Sequence, residues 1–530
     1  MKINQLFAGA FAVLAVTLSS CERSFEDLEK DPNRPVNVPA SLVLQGVESD
    51  LANNTGRPFS AEMRWNQFYC SNYNYYATNE YTWSSTPNHY NTLKNVVKME
   101  EEAKRAGLAD VNGYSALGKF FRAYFIDEMT KRVGDIPVSE ALKGIENITP
   151  KYDNQKAVYV QILKWLEEAN DNLAVLITQG QTVQGDFYFG GDLRKWQKAV
   201  NAFKLRVLIS LSKKEAEGDL NVKTRFAEII GNPTKYPLFE GLADNLEFKY
   251  NQFNKYPSNP DNFGFDATRQ NMAKTYVGLL SDLKDPRVMV TCEPAGAALK
   301  AGKLPSDYSS FVGASSAEDL ADMSEKAGRT NGAGFAPGVY SFQNRYRYYR
   351  NYTAENTFIV GYPEMCFNIA EAIHRGWATG DTETWYKKGI QASMSFYGIV
   401  NGSNTMTYSK TGGRDAADLA NYTVNFNFDT YYAQDMVKYD GKTTKGLQQI
   451  ISQKYAAFFM NSGMEAYFNW RRTGFPKFET GVGNGNSGRI ALRWQYPVSE
   501  RTTNSKNYNE AIGSQYAGKD DINDSVWIMK

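Results

Sequence analysis

Apolar side chains recur every three or four residues in six stretches of this chain, and that spacing restricts the fold more than any other feature. Tyr114, Leu117, Gly118 and Phe121 match the tetratricopeptide pattern W-x2-L-G-x2-Y with aromatic substitutions, and the face continues through Tyr124 and Phe125. Gly134-Asp135-Ile136-Pro137 then stops the helix. Val158, Ile162, Leu166, Ala169 and Leu173 share a second face, and Trp196, Val200, Phe203, Val207 and Leu211 a third, entered through Gly191-Asp192. Cys366, Ile369, Ala370 and Ile373, then Ile390, Met394 and Tyr397, form another pair, and Ile451, Tyr455, Phe458 and Phe459 open one more. A helix with one apolar stripe must bury it against a neighbour, so the spacing predicts a mainly all-α fold, a stack of tetratricopeptide-like helical hairpins.

The helical pattern covers only part of the 530 residues. It is expected over about 95–230 and 363–400, with a C-terminal helix and tail over 447–530. Residues 231–362 and 401–446 are rich in Gly, Pro, Asn and Tyr and lack clean periods. So long a structureless loop is improbable inside a compact body, so short helices, turns and a few strands packed on the scaffold are expected there. No linker separates two halves, and residues 41–530 read as one large domain.

The amino terminus reads as an address. Lys2 and the uncharged run Leu6 to Leu18 resemble an export signal over residues 1–20, too short to span a bilayer. It closes on Leu18-Ser19-Ser20-Cys21, which resembles a lipobox with Cys21 as the lipidated residue; an ordinary cleaved signal is the alternative. Residues 21–40 then suit a flexible tether. Cys70, Cys292 and Cys366 permit at most one disulfide, and buried free thiols are the expectation.

Composition excludes several classes. The 59 Lys and Arg balance 58 Asp and Glu, which leaves no overall field for non-specific nucleic-acid binding. Two histidines, His89 and His374, give little material for a His-rich metal site. Asp520-Asp521-Ile522-Asn523-Asp524 lacks the Gly and distal Glu of an EF-hand loop and reads as a solvated turn. No cofactor is implied. Aromatic residues, however, reach 14%.

Several segments together resemble one family. They are Asp31-Pro32-Asn33-Arg34-Pro35 after the lipobox, Val133-Gly134-Asp135-Ile136-Pro137, Gly191-Asp192-Leu193-Arg194-Lys195-Trp196 and Ala370-Glu371-Ala372. The most specific are Glu465 to Pro476 (EAYFNWRRTGFP) and Arg493 to Glu500 (RWQYPVSE). Over essentially the whole chain they are similar to the SusD/RagB outer-membrane lipoproteins of the Bacteroidetes. The resemblance implies four tetratricopeptide-like helix pairs with the ligand site on the irregular remainder. It also implies a surface location, a SusC-like TonB-dependent transporter as partner, capture of oligosaccharides, or of peptides in the RagB branch, and no catalysis. Arg471 and Arg472 are expected in structural carboxylate pairs rather than at a ligand.

A glycan site needs flat aromatic platforms edged by amides, carboxylates and Arg forks. Residues 65–90 hold nine aromatics, among them Trp65, Tyr73, Tyr75, Tyr76, Tyr81 and Trp83, interleaved with Asn72, Asn74 and Asn79. Two or three of the nine are expected to reach ligand and the rest to pack the scaffold. A second cluster, Tyr340 to Tyr352, alternates at Tyr346, Tyr348, Arg350 and Tyr352 with strand period, offering one face as a cationic stacking surface or a half-buried strand. Asp261, Asn262, Asp266 and Arg269 are further hydrogen-bonding candidates, as is His89, while Glu100-Glu101-Glu102 marks a solvated helix face. The competing readings are a glycan-binding lipoprotein, a RagB-type peptide receptor, and an anchored glycosidase, for which no carboxylate pair stands out.

Overall fold

A computed structural model describes residues 38–54, 56–328 and 338–530; the expected export signal, Cys21 and nearly all of the tether lie outside them. Apart from the five-residue helix Ala61–Trp65, six helices open the described chain: α1 (Ala40–Asn54), α2 (Tyr90–Arg105), α3 (Gly113–Val133), α4 (Gln155–Thr178), α5 (Leu193–Ser210) and α6 (Val222–Gly231). Each packs on the next. Their starts are written in the sequence as caps. Asn112 forms a capping box with Ser115, Asn154 accepts from Ala157 N, and Asp192 accepts from Arg194 N and Lys195 N. Gly134, at φ 93°, takes the turn that ends α3.

The repeat-like residues of α3 have a direct packing reason. A Cβ on Gly118 would lie 2.2 Å from Glu100 Oε1, so the glycine opens the space in which α2 closes on α3. Glu100 uses it to meet Arg122, whose Nη2 donates to Oε2 at 2.6 Å. The solvated face expected at Glu100–Glu102 is therefore only partly so: Glu102 is also buried and pairs with Lys98 at 3.0 Å. Phe120, Phe121, Trp196 and Phe203 interlock edge to face between α3 and α5.

A second set comprises α7 (Tyr362–His374), α8 (Thr382–Phe396), α9 (Thr444–Ala457) and α10 (Glu465–Thr473), with α11 (Ser505–Tyr516) near the end. α7 is central, packing on α8, α9 and α5. The fold is thus mainly helical, with the helical faces read from sequence buried, and the largest apolar cluster draws on residues from Ala40 to Met529. Among the described residues no helix is long and apolar enough to cross a membrane.

Charge is buried at the centre of this assembly. Glu371 on α7 accepts from both Nη atoms of Arg472 on α10 and pairs with Arg375 at 2.8 Å. Arg206 grips Glu364 at 2.5 and 2.6 Å, and Lys131 meets Asp127 at 2.8 Å and Glu465 at 2.9 Å. Removing one member would strand the other in a dry interior, the costly way to break such a pair. Arg472 therefore has the expected carboxylate partner, but Arg471 does not: it donates to the carbonyls of Leu492 (2.7 Å) and Lys131 (2.8 Å), tying α10 to α3 through backbone. Asp520, in the acidic turn, holds Arg493 at 2.6 Å and is structural. Cys70, Cys292 and Cys366 are free and buried.

The irregular segments carry three two-stranded antiparallel sheets. β1 (Tyr69–Ser71) pairs with β3 (Gln270–Met272), β2 (Leu246–Phe248) with β4 (Thr357–Val360), and β5 (Gly402–Ser409) with β6 (Leu419–Phe426) in full register. The strand expected at 346–352 is absent: Arg345–Tyr349 is a short helix, capped by Asn344, whose side chain accepts from Arg347 N. Ion pairs outweigh the alternating pattern there, since Arg345 is drawn to Glu293 at 2.5 Å and Arg347 to Glu355 at 2.7 Å.

Candidate functional site

The β1–β3 pairing brings two distant segments together, because Ser71 lies opposite Gln270 and the chain on either side must turn away side by side. Asn72 N donates to Arg269 O at 3.0 Å, and its side-chain amide donates to Thr268 O (3.0 Å) and Asn271 Oδ1 (2.6 Å). Asn79 closes the loop, accepting from Ser71 N and donating to Ser71 O, both at 2.9 Å. Between these clamps Tyr76 N donates to Tyr73 O at 3.1 Å. Asn72 and Asn79 are consequently buried builders of the loop, not the ligand-facing amides the sequence suggested.

On this clamped loop stand Tyr73, Tyr75 and Tyr76, exposed to 42%, 82% and 43%. Their rings form one group, with centroids 6.4 Å (Tyr73–Tyr75), 6.1 Å (Tyr73–Tyr76) and 5.4 Å (Tyr75–Tyr76) apart. The Arg269 guanidinium lies 4.8 Å from the Tyr73 centroid and 6.0 Å from that of Tyr76. Its Nε is buried without a hydrogen-bond partner among the described residues. Behind it, half-buried Asp266 accepts from Tyr349 Oη at 2.8 Å. Burial pushes Asp266 up to about 6, against the lowering effect of the Tyr349 hydroxyl. Single exposed apolar residues are ordinary, whereas three adjacent exposed rings with a cation form a contiguous patch and the strongest candidate for a binding surface.

The other rings of the 65–90 segment point inward. Trp83 is 3% exposed and stacked on Trp494, centroids 3.6 Å apart and planes within 5°. Tyr81 is fully buried, its hydroxyl donating to Trp65 O at 2.8 Å. Trp65 is half-buried, edge-on to Trp83 and Trp494, with Nε1 spent on Glu80 O at 2.9 Å. Tyr81 and Trp83 are therefore core residues rather than ligand platforms. His89 is buried against Phe125; desolvation, with Arg132 nearby, lowers it to about 4, so it is a neutral packed ring rather than a sugar contact.

In the second cluster the short helix buries Tyr348, which lies near-parallel to Tyr256, and so removes it as a platform. Tyr346 and Arg350 stay accessible four residues apart on one helical face, with the guanidinium 4.8 Å from the ring and Nη1 donating to Tyr346 Oη at 2.8 Å. Asp261 is exposed but already engaged, holding Lys255 at 2.5 Å and accepting from Tyr352 at 2.9 Å, and Asn262 donates to Pro257 O at 2.6 Å.

An apolar hollow of about 250 Å³, lined by Pro87, Met129, Pro137, Tyr152, Pro497 and Glu500, is a weaker candidate for a hydroxyl-rich ligand. Two of its polar groups are already engaged: Tyr152 donates to Glu500 at 2.5 Å and Tyr90 to Pro137 O at 2.6 Å. Among the described residues no group of three His, Cys, Asp or Glu could hold a metal ion.

Packed helices displaying rings, amides and guanidinium groups on the irregular segments between them define a scaffold protein with a surface suited to binding. The chain belongs to the SusD-like family described as starch-binding and associating with the outer membrane, whose profile matches residues 32–497. It is similar to a SusD homologue from Bacteroides fragilis, at 28% identity over 93% of this chain and all of that one, TM-score 0.78. A Bacteroides vulgatus protein described as an outer-membrane nutrient-binding candidate is 30% identical over 93% of this chain and all of its own, TM-score 0.76. A chitin-binding SusD homologue from Flavobacterium johnsoniae shares the fold at 18% identity, covering 92% of this chain and 98% of its own, TM-score 0.67. None of the curated proteins matches the sequence.

Proposed function

We propose that Tyr73, Tyr75, Tyr76 and Arg269 form the platform on which this protein captures an oligosaccharide at the outer surface of the outer membrane. The observation that carries the reading is the exposed three-ring cluster with a guanidinium against it, held on a loop clamped by Asn72 and Asn79. Sugars present apolar C–H faces ringed by hydroxyls, so tyrosine faces supply contact area and the Arg269 fork supplies edge hydrogen bonds. Because the clamps fix the loop beforehand, little ordering entropy is lost on binding. In this account Cys21 carries the lipid anchor and a SusC-like TonB-dependent transporter receives the sugar; family membership supports both. The protein binds and delivers without catalysing a reaction.

Calorimetric titration of the body lacking residues 1–21 against a panel of neutral and acidic polysaccharides and peptides tests the reading. Glycan binding that Tyr75→Ala and Arg269→Ala each weaken is the expected result. Binding of peptides alone, or glycan affinity indifferent to both substitutions, overturns it.

A further inference from the structure

Tyr346 and Arg350 do not stand on an open surface. They border a second hollow of about 400 Å³, closed on the opposite side by β5, whose Ser403, Asn404, Thr405, Met406 and Thr407 all line it. The base is rigid. Asn344 donates to Val290 O and to Thr407 O, both at 3.0 Å, which fixes the short helix against the strand.

The charge in this hollow is one-sided. No Asp or Glu lines it among the described residues, whereas two arginines do. Arg347 is neutralised from behind by Glu355 at 2.7 Å. Arg350 has no such partner among the described residues: the hydroxyl and ring of Tyr346 hold its guanidinium, which orients the fork without compensating its charge. A guanidinium has five N–H donors, and the bond to Tyr346 uses one. Ser403 and Thr405, both exposed across the hollow, add hydroxyl donors. Hydroxyls and amides here suit a neutral sugar and an anion alike, but only an anion compensates the Arg350 charge.

We propose that this hollow is an anion-reading subsite, which takes the carboxylate or sulfate ester of an acidic sugar and makes acidic glycans the preferred ligand class. The inference rests on the glycan-binding reading of the tyrosine platform and deepens it. Arg350 supplies the fork, Tyr346 positions it and gives a ring for the sugar's C–H face, and the β5 hydroxyls bind the remaining anion oxygens.

The test is a set of matched titrations of the soluble body: polygalacturonate against its carboxyl-reduced neutral form, and dextran sulfate against dextran. Wild-type protein is expected to bind at least one acidic polymer about tenfold more tightly than its neutral counterpart, as a charge-assisted hydrogen bond predicts. Arg350→Gln should erase that gap without changing the neutral polymer's affinity, and Arg350→Lys should restore part of it. The pair that shows the gap distinguishes carboxylate from sulfate. Equal binding of acidic and neutral forms, or a gap that survives Arg350→Gln, overturns the subsite. Tyr75→Ala in the same titrations reads the platform separately: neutral binding that it weakens, without any acid preference, leaves the platform standing and removes the subsite. Absence of binding to all four polymers also overturns the subsite, and the wider panel then decides the platform. Because Arg350 is exposed, its variants should keep the wild-type melting temperature.

Discussion

Trp83→Ala separates the two ways in which an aromatic-rich segment can matter. The indole is 3% exposed, stacks on Trp494 at 3.6 Å, and meets Trp65 at 5.3 Å and Tyr467 at 5.0 Å. Truncating a buried aromatic of this kind costs about 3–5 kcal/mol through lost transfer energy and the cavity left behind. Each ring contact is worth roughly 0.5–1.5 kcal/mol beyond area burial, so three such contacts place this site towards the upper end. At roughly 2.1 cal/mol/K per residue, a chain this long has an unfolding entropy of about 1 kcal/mol/K, so the melting midpoint should fall by about 3–5 °C. Differential scanning calorimetry of the soluble body measures that shift. Titration at 25 °C, below the transition, measures glycan affinity of the folded protein. The expected result is a less stable protein that binds glycan as wild type does. Wild-type stability with glycan binding abolished would refute the reasoning, since it would make Trp83 a ligand platform despite its burial.

Two further predictions concern buried carboxylates. Glu371→Gln leaves Arg472 and Arg375 facing a neutral amide, and should destabilise the protein by about 3–5 kcal/mol at pH 7 in chemical denaturation. Arg472 and Arg375 together hold the Glu371 carboxyl far below the usual range despite desolvation. Its contribution is therefore present above the unfolded-state value near 4.5 and is lost as pH falls, so the gap between variant and wild type should narrow in acid; a gap constant with pH refutes this. Glu48 behaves oppositely, since desolvation and then the Asp186 charge push it up to about 10. The folded state holds a proton there that the unfolded state releases above about 4.5, so Glu48 lowers stability as pH rises towards 10, by up to about 1.4 kcal/mol per pH unit. Glu48→Gln should flatten the melting temperature against pH over that window; parallel curves for the two proteins would contradict it.

The helical scaffold was legible because its cause is local and periodic. The faces of α3, α4 and α5 repeat with the helical period, and Asp192 and Gly134 mark helix ends by backbone chemistry confined to a few residues. The candidate platform was legible in part. An aromatic run without helical period pointed to the loop after β1, yet which side chains face out is decided by contacts distant in sequence. Trp83 is turned inward by Trp494, Tyr348 lies against Tyr256, and Asn72 is recruited by Asn271. The Tyr346–Tyr352 alternation misled because ion pairs decide the conformation there: Glu293 and Glu355 draw Arg345 and Arg347 into a helix. Asp266 and Arg269 were picked out singly; only the β1–β3 register joins Arg269 to Tyr73. The β5 hydroxyls of the second hollow were missed, although the alternation Ser403, Thr405, Thr407 against Met406 and Tyr408 is a strand signal.

The position of a bound sugar tests the central claim most directly. A crystal structure of the soluble body with an oligosaccharide from the binding panel should show a sugar ring resting on the face of Tyr73, Tyr75 or Tyr76, with Arg269 donating to its hydroxyls. An oligosaccharide bound elsewhere, with the three tyrosines left in solvent, would contradict the account.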